Sequence, residues 1–227
     1  MQLLSVENDA KTSKGTDSGY LTGILYLAPA NESGRLNVCL SATLECIKSC
    51  LYKAGRGAMP NVISARIART NWLADNRASF MDALRSDIHE LCSKASKRGL
   101  IPAVRINGTS DLPGIARQLA REFPTVSFYD YTKHKSPWIR RESNYHITFS
   151  YSGHNWTECE AALAHDVNVA VVFHVAKGQP LPLSYQGYPV IDGDTDDLRF
   201  LDPKRVIVGL RAKGPAIKAD SAFVVLP

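Results

Sequence analysis

The stretch "NRASFMDALRSDIHELCSKASKRGLIPAVRIN", residues 76–107, contains the clearest helix-to-strand unit of the chain. Its apolar residues recur every three or four positions, which is the spacing of an amphipathic helix: Phe80, Leu84, Ile88, Leu91 and Ala95. We therefore predict a helix over residues 76–98. Gly99 ends it, and the apolar run at 101–107 follows as a strand.

The same alternation of strands and helices continues on both sides of this unit. Further strands are predicted at residues 19–28, 125–131, 145–151, 168–175 and 205–214. Further helices are predicted at residues 41–53, 61–73 and 155–166, and after Asp111, which we expect to cap one. Repeated strand–helix–strand units with apolar strands form parallel sheets. The fold class is therefore α/β, with a mostly parallel sheet covered by helices, either open or as a partial (β/α) barrel.

The composition indicates one globular unit. The chain has 227 residues, of which 44% are apolar and 22% charged, and its net charge is +5. We expect the polar residues 1–18 to be a flexible N-terminal leader and residues 19–227 to be a single α/β domain. No apolar run approaches the roughly 18 residues of a membrane span. We therefore expect a cytoplasmic protein without membrane contact, whose five cysteines stay reduced.

Three of the cysteines lie close together in "NVCLSATLECIKSCLYKAGRG", residues 37–57. In the predicted helix 41–53, Leu44, Ile47 and Leu51 form an apolar stripe, and Cys46 and Cys50 share another face. If Cys39 continued that helix, it would lie about 16 Å from Cys50. Joint metal binding therefore requires Cys39 to lie on a loop before the helix.

Three thiolates from one segment suit two kinds of metal site. One is a [4Fe–4S] cluster with an iron left to another ligand, and the other is a zinc ion completed by a fourth side chain. Free or redox-active thiols are the third alternative. We predict Cys39, Cys46 and Cys50 as metal and cofactor ligands. The candidates for a fourth ligand are His134, His146, His154 and His174, and the sequence does not show which of them lies near the cysteines. Cys92 and Cys159 lie among apolar residues and are expected to pack in the core, with either of them as an alternative fourth ligand.

Polar residues follow several of the predicted strands, where parallel sheets bind their ligands. The candidates for catalysis or substrate binding are Arg105, Asn107, Asp111, Asp130, Lys133, Asp192 and Lys213. The cations would bind an anionic group of the substrate, and the carboxylates would order its hydroxyls or amines. For Asp111 the alternative role is the helix cap. The motifs of P-loops, serine hydrolases, zinc proteases and dinucleotide-binding folds do not occur in the sequence.

Two further functions stay open. Basic residues near aromatic ones suit phosphate contact and base stacking in a nucleic-acid-binding regulator: Arg56, Arg66, Arg69 and Arg77, and then Lys133, Lys135, Trp138, Arg140 and Arg141. Asp192 and Asp194 suit a magnesium ion in a nuclease.

Several segments together resemble one protein family: "NVCLSATLECIKSCLYKAGRG", "RIARTNWLADNRASF", "AVRINGTSD", "FYDYTK", "YHITFSYS", "NVAVVFHV" and "VIDGDTDDLRFLDP". They are similar to uncharacterised proteins of tailed bacteriophages and prophages related to the gene product 88 family, over roughly residues 19–225. The resemblance implies a phage origin and a setting in the host cytoplasm, and its cysteine motif is similar to an iron–sulfur site.

A cysteine-bearing loop after the first strand also resembles radical S-adenosylmethionine enzymes, whose C-x(3)-C-x(2)-C spacing differs from C-x(6)-C-x(3)-C here. Our leading interpretation is a phage-encoded iron–sulfur protein, radical-SAM-like, that acts on a small molecule or a nucleic acid.

Overall fold

The computed structural model describes residues 2–7, 15–136, 142–219 and 221–227. Ten strands form one sheet: β1 (Leu4–Val6), β2 (Tyr20–Leu25), β3 (Ile101–Arg105), β4 (Ser127–Thr132), β5 (Tyr145–Ser150), β6 (Val169–Phe173), β7 (Ser184–Tyr185), β8 (Tyr188–Asp192), β9 (Ile207–Arg211) and β10 (Val224–Val225). Their order is β1-β2-β3-β4-β5-β6-β9-β8-β7, and β10 also pairs with β6.

The sheet is parallel except at its two ends. Strands β2 to β6 follow one another in chain order and pair in parallel, as do β6 with β9 and β9 with β8. Only the end pairs β1–β2 and β7–β8 are antiparallel in the described part of the chain. The two ends of this order do not meet among these strands, so the sheet is open. The predicted α/β class with a mostly parallel sheet is confirmed.

Beyond the helical residues 15–17, these helices accompany the sheet: α1 (Leu44–Lys48), α2 (Pro60–Asp75), α3 (Arg77–Lys97), α4 (Pro113–Glu122) and α5 (Trp156–Ala164). Helix α3 packs on β2 and β3, α4 on β4 and β5, and α5 on β5 and β6. The five apolar residues predicted as the inner stripe of α3 are all buried in the main core. The Asn76 side chain starts this helix by accepting a hydrogen bond from Ser79 N at 3.0 Å.

The opposite face of the sheet is covered by a 3₁₀ turn at Arg199–Leu201. Side chains alternate along a strand. Phe128 of β4 therefore faces the helices, whereas Tyr129 packs on Phe200 of the turn, with ring centroids 5.5 Å apart. His146 of β5 lies 5.7 Å from the same ring. Both faces of the middle strands are thus buried, which is typical of parallel sheets. No helix in the described ranges has the length and apolar character that a membrane crossing requires.

The structure differs from the sequence-based prediction at the N-terminus. Leu4–Val6, inside the predicted leader, pair antiparallel with Gly23–Leu25 of β2. Leu3 and Leu4 are buried, so their apolar side chains explain why this part forms an edge strand. Residues 8–14 of the predicted leader lie outside the described residues.

The predicted helix 41–53 is wrong in its extent and in its buried face. Thr43 has an extended backbone, and its hydroxyl accepts a hydrogen bond from Cys46 N, so α1 begins at Leu44 and has only five residues. A 3₁₀ turn follows at Leu51–Lys53. Leu44 and Leu51 are 70% and 48% exposed, so they do not form a core stripe.

Candidate functional site

A cavity of about 250 Å³ lies at the carboxyl ends of the parallel strands. One wall is the cysteine segment that follows β2, and the others come from the ends of β3, β4, β5, β6 and β9. Polar side chains of five predicted candidates line it: Arg105, Asn107, Asp111, Lys133 and Lys213. The rule that ligands bind at strand ends thus brings most of the predicted residues to one place.

Cys39, Cys46 and Cys50 all line this cavity, and all three also line a small pocket of about 30 Å³ beside it. Cys39 precedes α1, Cys46 is on it and Cys50 follows it, so the segment folds back as joint binding requires. The Cys39 thiol donates to Thr109 O at 3.8 Å. Burial raises the pKa of Cys39 to about 11 and also raises that of Cys50. All five cysteines are free.

A preassembled metal centre is not present in the described residues. In that part of the chain no group of three or more His, Cys, Asp or Glu side chains is arranged to hold a metal ion. None of the four histidines considered as fourth ligands lines the cavity with the cysteines. His146 packs near Phe200, and His174 Nε2 lies 3.0 Å from Ile217 O. The other two cysteines lie elsewhere: Cys159 is fully buried, and Cys92 packs partly buried against the core.

Arg105 forms part of the cavity floor and is held by a residue that the sequence did not single out. Its Nη1 donates to both carboxylate oxygens of Asp197, at 2.8 and 3.1 Å, and its guanidinium lies 4.6 Å from the ring centroid of Tyr131. Both side chains of this ion pair are nearly inaccessible. Asp197 lies in a turn whose acidic sequence predicts exposure to solvent. The apolar neighbour Leu198 is the one sequence feature that indicates burial of Asp197.

Asn107 organises the turn after β3. Its backbone N–H and its side-chain Nδ2 donate to the two carboxylate oxygens of Asp130, at 2.6 and 2.9 Å. Its Oδ1 accepts from the Ser110 hydroxyl and from Leu112 N. All four of these hydrogen bonds bind Asn107 to the protein itself, so its role is to hold the shape of the turn.

Gly108 lets that turn pass close to β2. A Cβ atom at this position would lie 2.7 Å from Ile24 Cγ2 and 2.7 Å from Tyr26 Cδ1. Any larger residue would therefore push the turn, and the cavity wall that it forms, away from the sheet.

Asp130 lies behind the cavity and does not line it. It shares the face of β4 that carries Phe128, and the Tyr145 hydroxyl donates to it at 3.1 Å. Burial raises the pKa of Asp130 to about 7, although its hydrogen bonds act in the opposite direction. Asp130 therefore does not line the pocket, contrary to the prediction.

Asp111 does not cap a helix, contrary to the prediction. Helix α4 begins at Pro113 with Leu112 as its N-cap. The Asp111 carboxylate instead accepts from the Thr132 hydroxyl at 2.7 Å and from Lys133 N at 2.8 Å. It thereby ties the loop after β3 to the carboxyl end of β4 and fixes the backbone at Lys133.

A second cleft of about 960 Å³ adjoins the first cavity and shares Asp194, Arg211 and Lys213 with it. Asp192 lines only this second cleft. Arg211 donates to Asp192 at 2.8 and 2.9 Å, and Lys213 Nζ lies 2.6 Å from Asp194 Oδ1. The hydrogen bond from Arg211 lowers the pKa of Asp192. Both carboxylates that the sequence suggested for magnesium are therefore already paired with cations.

The arginines of the first basic segment differ in their surroundings, and Arg56 and Arg77 are exposed. Arg66 is buried, and its guanidinium lies 5.0 and 5.5 Å from the ring centroids of Tyr26 and Tyr52. Arg69 donates to Gln2 O and Arg77 to Gln118. Trp138, Arg140 and Arg141 lie outside the described residues.

Comparison with known proteins assigns the chain to a family. The family model described as gene product 88 matches residues 2–226, which is nearly the whole chain. No curated protein and no solved structure matches it. The chain, with its cysteine-lined cavity at the end of a parallel sheet, therefore belongs to the gene product 88 family, a phage-type family.

Proposed function

We propose that this protein is a phage-encoded iron–sulfur protein that binds a small molecule beside its cluster in the host cytoplasm. Cys39, Cys46 and Cys50 are the proposed ligands of a [4Fe–4S] cluster. The observation that carries the proposal is that these three cysteines line one cavity at the carboxyl ends of the parallel strands. The remaining cysteines, Cys92 and Cys159, pack against the core.

The donor set fits such a cluster in its chemistry. Thiolates are the ligands of iron–sulfur clusters, and three of them leave one iron for another ligand. No fourth cysteine or histidine of the described residues lines the cavity, so a zinc site here would need an aspartate such as Asp111 as its fourth ligand. When bound, the cluster would supply one-electron chemistry and an iron position open to a ligand such as S-adenosylmethionine.

The three thiols are not arranged to hold a metal ion in the described residues, so metal binding requires their segment to rearrange. The segment that carries Cys46 and Cys50 is one short helix and a 3₁₀ turn, with Leu44 and Leu51 exposed. Few apolar contacts therefore fix its position, and local rearrangement of such a segment needs little free energy. The thiols of Cys39 and Cys50 release their protons on ligation, so binding is coupled to pH.

The test is to purify the protein without oxygen, record its visible spectrum and quantify iron, sulfide and zinc. We expect a brown protein with about four iron and four sulfide per chain, as a [4Fe–4S] cluster contains. Cys39→Ser, Cys46→Ser and Cys50→Ser should each lose most of the colour and the iron. Cys92→Ser is the matched control, because this residue lies on α3 away from the cavity, and it should keep both.

Two results would refute the proposal. One is a colourless protein with one zinc per chain, and the other is a protein without metal after reconstitution with iron and sulfide. The ligand assignment would also be contradicted if Cys92→Ser lost as much iron as Cys46→Ser.

The two alternative functions have weaker support. A nucleic-acid-binding regulator needs accessible cations, and in the first basic segment Arg56 and Arg77 are exposed whereas Arg66 is buried against two tyrosines. A magnesium-dependent nuclease needs free carboxylates, whereas Asp192 and Asp194 are paired with Arg211 and Lys213.

A further inference from the structure

Four cations line the cavity beside the cysteines, and three of them have carboxylate partners. Arg105 pairs with Asp197, Arg211 with Asp192 and Asp194, and Lys213 with Asp194. The fourth cation is Lys133. No carboxylate of the described residues forms an ion pair with it, although Asp111 accepts a hydrogen bond from its backbone N–H.

The position of the Lys133 ammonium is defined by its surroundings. Its backbone is fixed by Asp111 at the end of β4, and its Nζ lies 5.9 Å from the ring centroid of Phe223. Phe223 lines the same cavity and packs in a small core cluster against which Cys46 also packs. The ammonium group thus lies between an aromatic wall and the cysteine segment, where a cation–π contact satisfies it only in part.

The rest of the lining shows what kind of molecule the cavity suits. Val172, Leu210 and Phe223 give it an apolar wall. Ser49 and Ser150 are 5% and 8% exposed and line it as well. Ligand pockets typically combine apolar walls with a few such polar groups.

We propose that this cavity binds a small anion, a carboxylate or phosphate on an apolar or aromatic body, whose charged group pairs with Lys133. The volume of about 250 Å³ is slightly below the usual range of about 300–1,000 Å³ for ligand pockets, so the molecule is no larger than one substituted ring. This inference deepens the proposed function by naming the substrate class of the same site. Anion binding by Lys133 does not itself require iron. An experiment can therefore refute the iron–sulfur cluster without refuting the anion site, and the reverse.

The test compares three probes that share a phenyl group: phenylacetate, phenyl phosphate and the neutral 2-phenylethanol. Binding is measured by calorimetry with the full-length protein. We expect at least one anion to bind about tenfold more tightly than the alcohol, because a hydrogen bond to a charged partner has this value. The anion that binds more tightly distinguishes a carboxylate from a phosphate ligand. The preference should weaken as salt is added.

The variants assign the effect to one side chain. Lys133→Gln should lose the preference for the anion and keep the affinity for the alcohol. Lys135→Gln is the matched control, since this lysine is exposed two residues further on, and it should behave like the wild type.

Three outcomes overturn the proposal: equal affinity for anions and alcohol, a preference that survives in Lys133→Gln, and no saturable binding by a protein that circular dichroism shows to be folded. Iron is quantified in the same samples. A colourless protein that still prefers the anion would refute the cluster and support this site, and a brown protein without the preference would do the reverse.

Discussion

Asp130 illustrates at the scale of one residue how a buried carboxyl can serve the site without entering it. It is 1% exposed and accepts hydrogen bonds from Asn107 and Tyr145. Because Asn107 shapes the turn after β3, Asp130 supports the cavity wall from behind. Its pKa of about 7 means that its charge changes near neutral pH.

This pKa predicts how stability depends on pH. A carboxyl that titrates near 7 when folded and near 3.9 when unfolded holds its proton more firmly in the folded state. The resulting stabilisation is fully present below about pH 4 and is lost as the pH rises through 7. Between pH 5 and pH 8 we expect Asp130 to lower the free energy of unfolding by on the order of 2 kcal/mol.

Urea unfolding at both pH values measures this difference. In Asp130→Asn the change in the free energy of unfolding between pH 5 and pH 8 should be smaller by on the order of 2 kcal/mol. This expectation holds whether or not the variant is less stable than the wild type at a single pH. The exposed Asp17 provides the comparison, because Asp17→Asn should keep the wild-type dependence. If Asp130→Asn and the wild type lose the same free energy between the two pH values, Asp130 does not titrate in this range.

The candidate residues could be placed from sequence only where a local rule applies. Arg105, Asn107 and Lys133 follow strands that the apolar pattern identifies, so the strand-end rule brings them together. Asp197 could not be placed, because its partner Arg105 is 92 positions away and nothing local indicates the pairing. Asp111 was assigned to the wrong partner, since a cap and a link to the next strand look alike in sequence.

At the scale of elements, the length of an apolar repeat decides how well it can be predicted. Helix α3 has five repeated apolar positions, and the structure confirms its start after Asn76 and all five buried residues. Helix α1 has five residues and ends before its apparent stripe is complete. The capping hydrogen bond of Thr43, which contributes about 1 kcal/mol, fixes where this short helix begins.

We expect Leu84→Ala to show how much α3 contributes to the fold. Leu84 is fully buried between this helix and the sheet, so truncation should lower the free energy of unfolding by about 2–5 kcal/mol. Thermal and urea unfolding report this loss. Glu90→Ala is the control on the exposed side of the same helix and should stay within about 0.5 kcal/mol of the wild type. A loss at Leu84 no larger than at Glu90 would mean that α3 does not pack as described.

At the scale of the whole molecule, the fold class could be predicted but the strand order could not. Repeated strand–helix units indicate a parallel sheet, and β2 to β6 lie in chain order. The position of β9 between β6 and β8 depends on pairing between strands distant in sequence, which leaves no local pattern.

The Arg105–Asp197 pair joins these distant parts, because it links β3 to the turn between β8 and β9. Removing one partner of a buried pair leaves the other charge without compensation, so Asp197→Asn should lower the free energy of unfolding by about 3–5 kcal/mol. Chemical denaturation measures it. Asp166→Asn, which breaks the exposed pairs with Lys204 and Arg205, is the control and should leave the midpoint unchanged. If Asp197→Asn and Asp166→Asn lowered the free energy of unfolding equally, burial would not strengthen the Arg105–Asp197 pair.

The place of β9 in the sheet has a consequence for how the chain is made. During synthesis the strands from β2 to β6 each emerge beside a partner that is already present, so this part of the sheet grows from the ribosome outward. The hairpin of β7 and β8 emerges next, when Phe173 and Trp156, on which Tyr185 packs, are already present, but β9, the strand with which β8 pairs, has not been translated. It therefore waits beside an open edge until Ile207–Arg211 fill the gap. Only then do the walls of the cavity that come from β9 stand opposite the cysteines, so the cavity cannot be complete before β9 has been made.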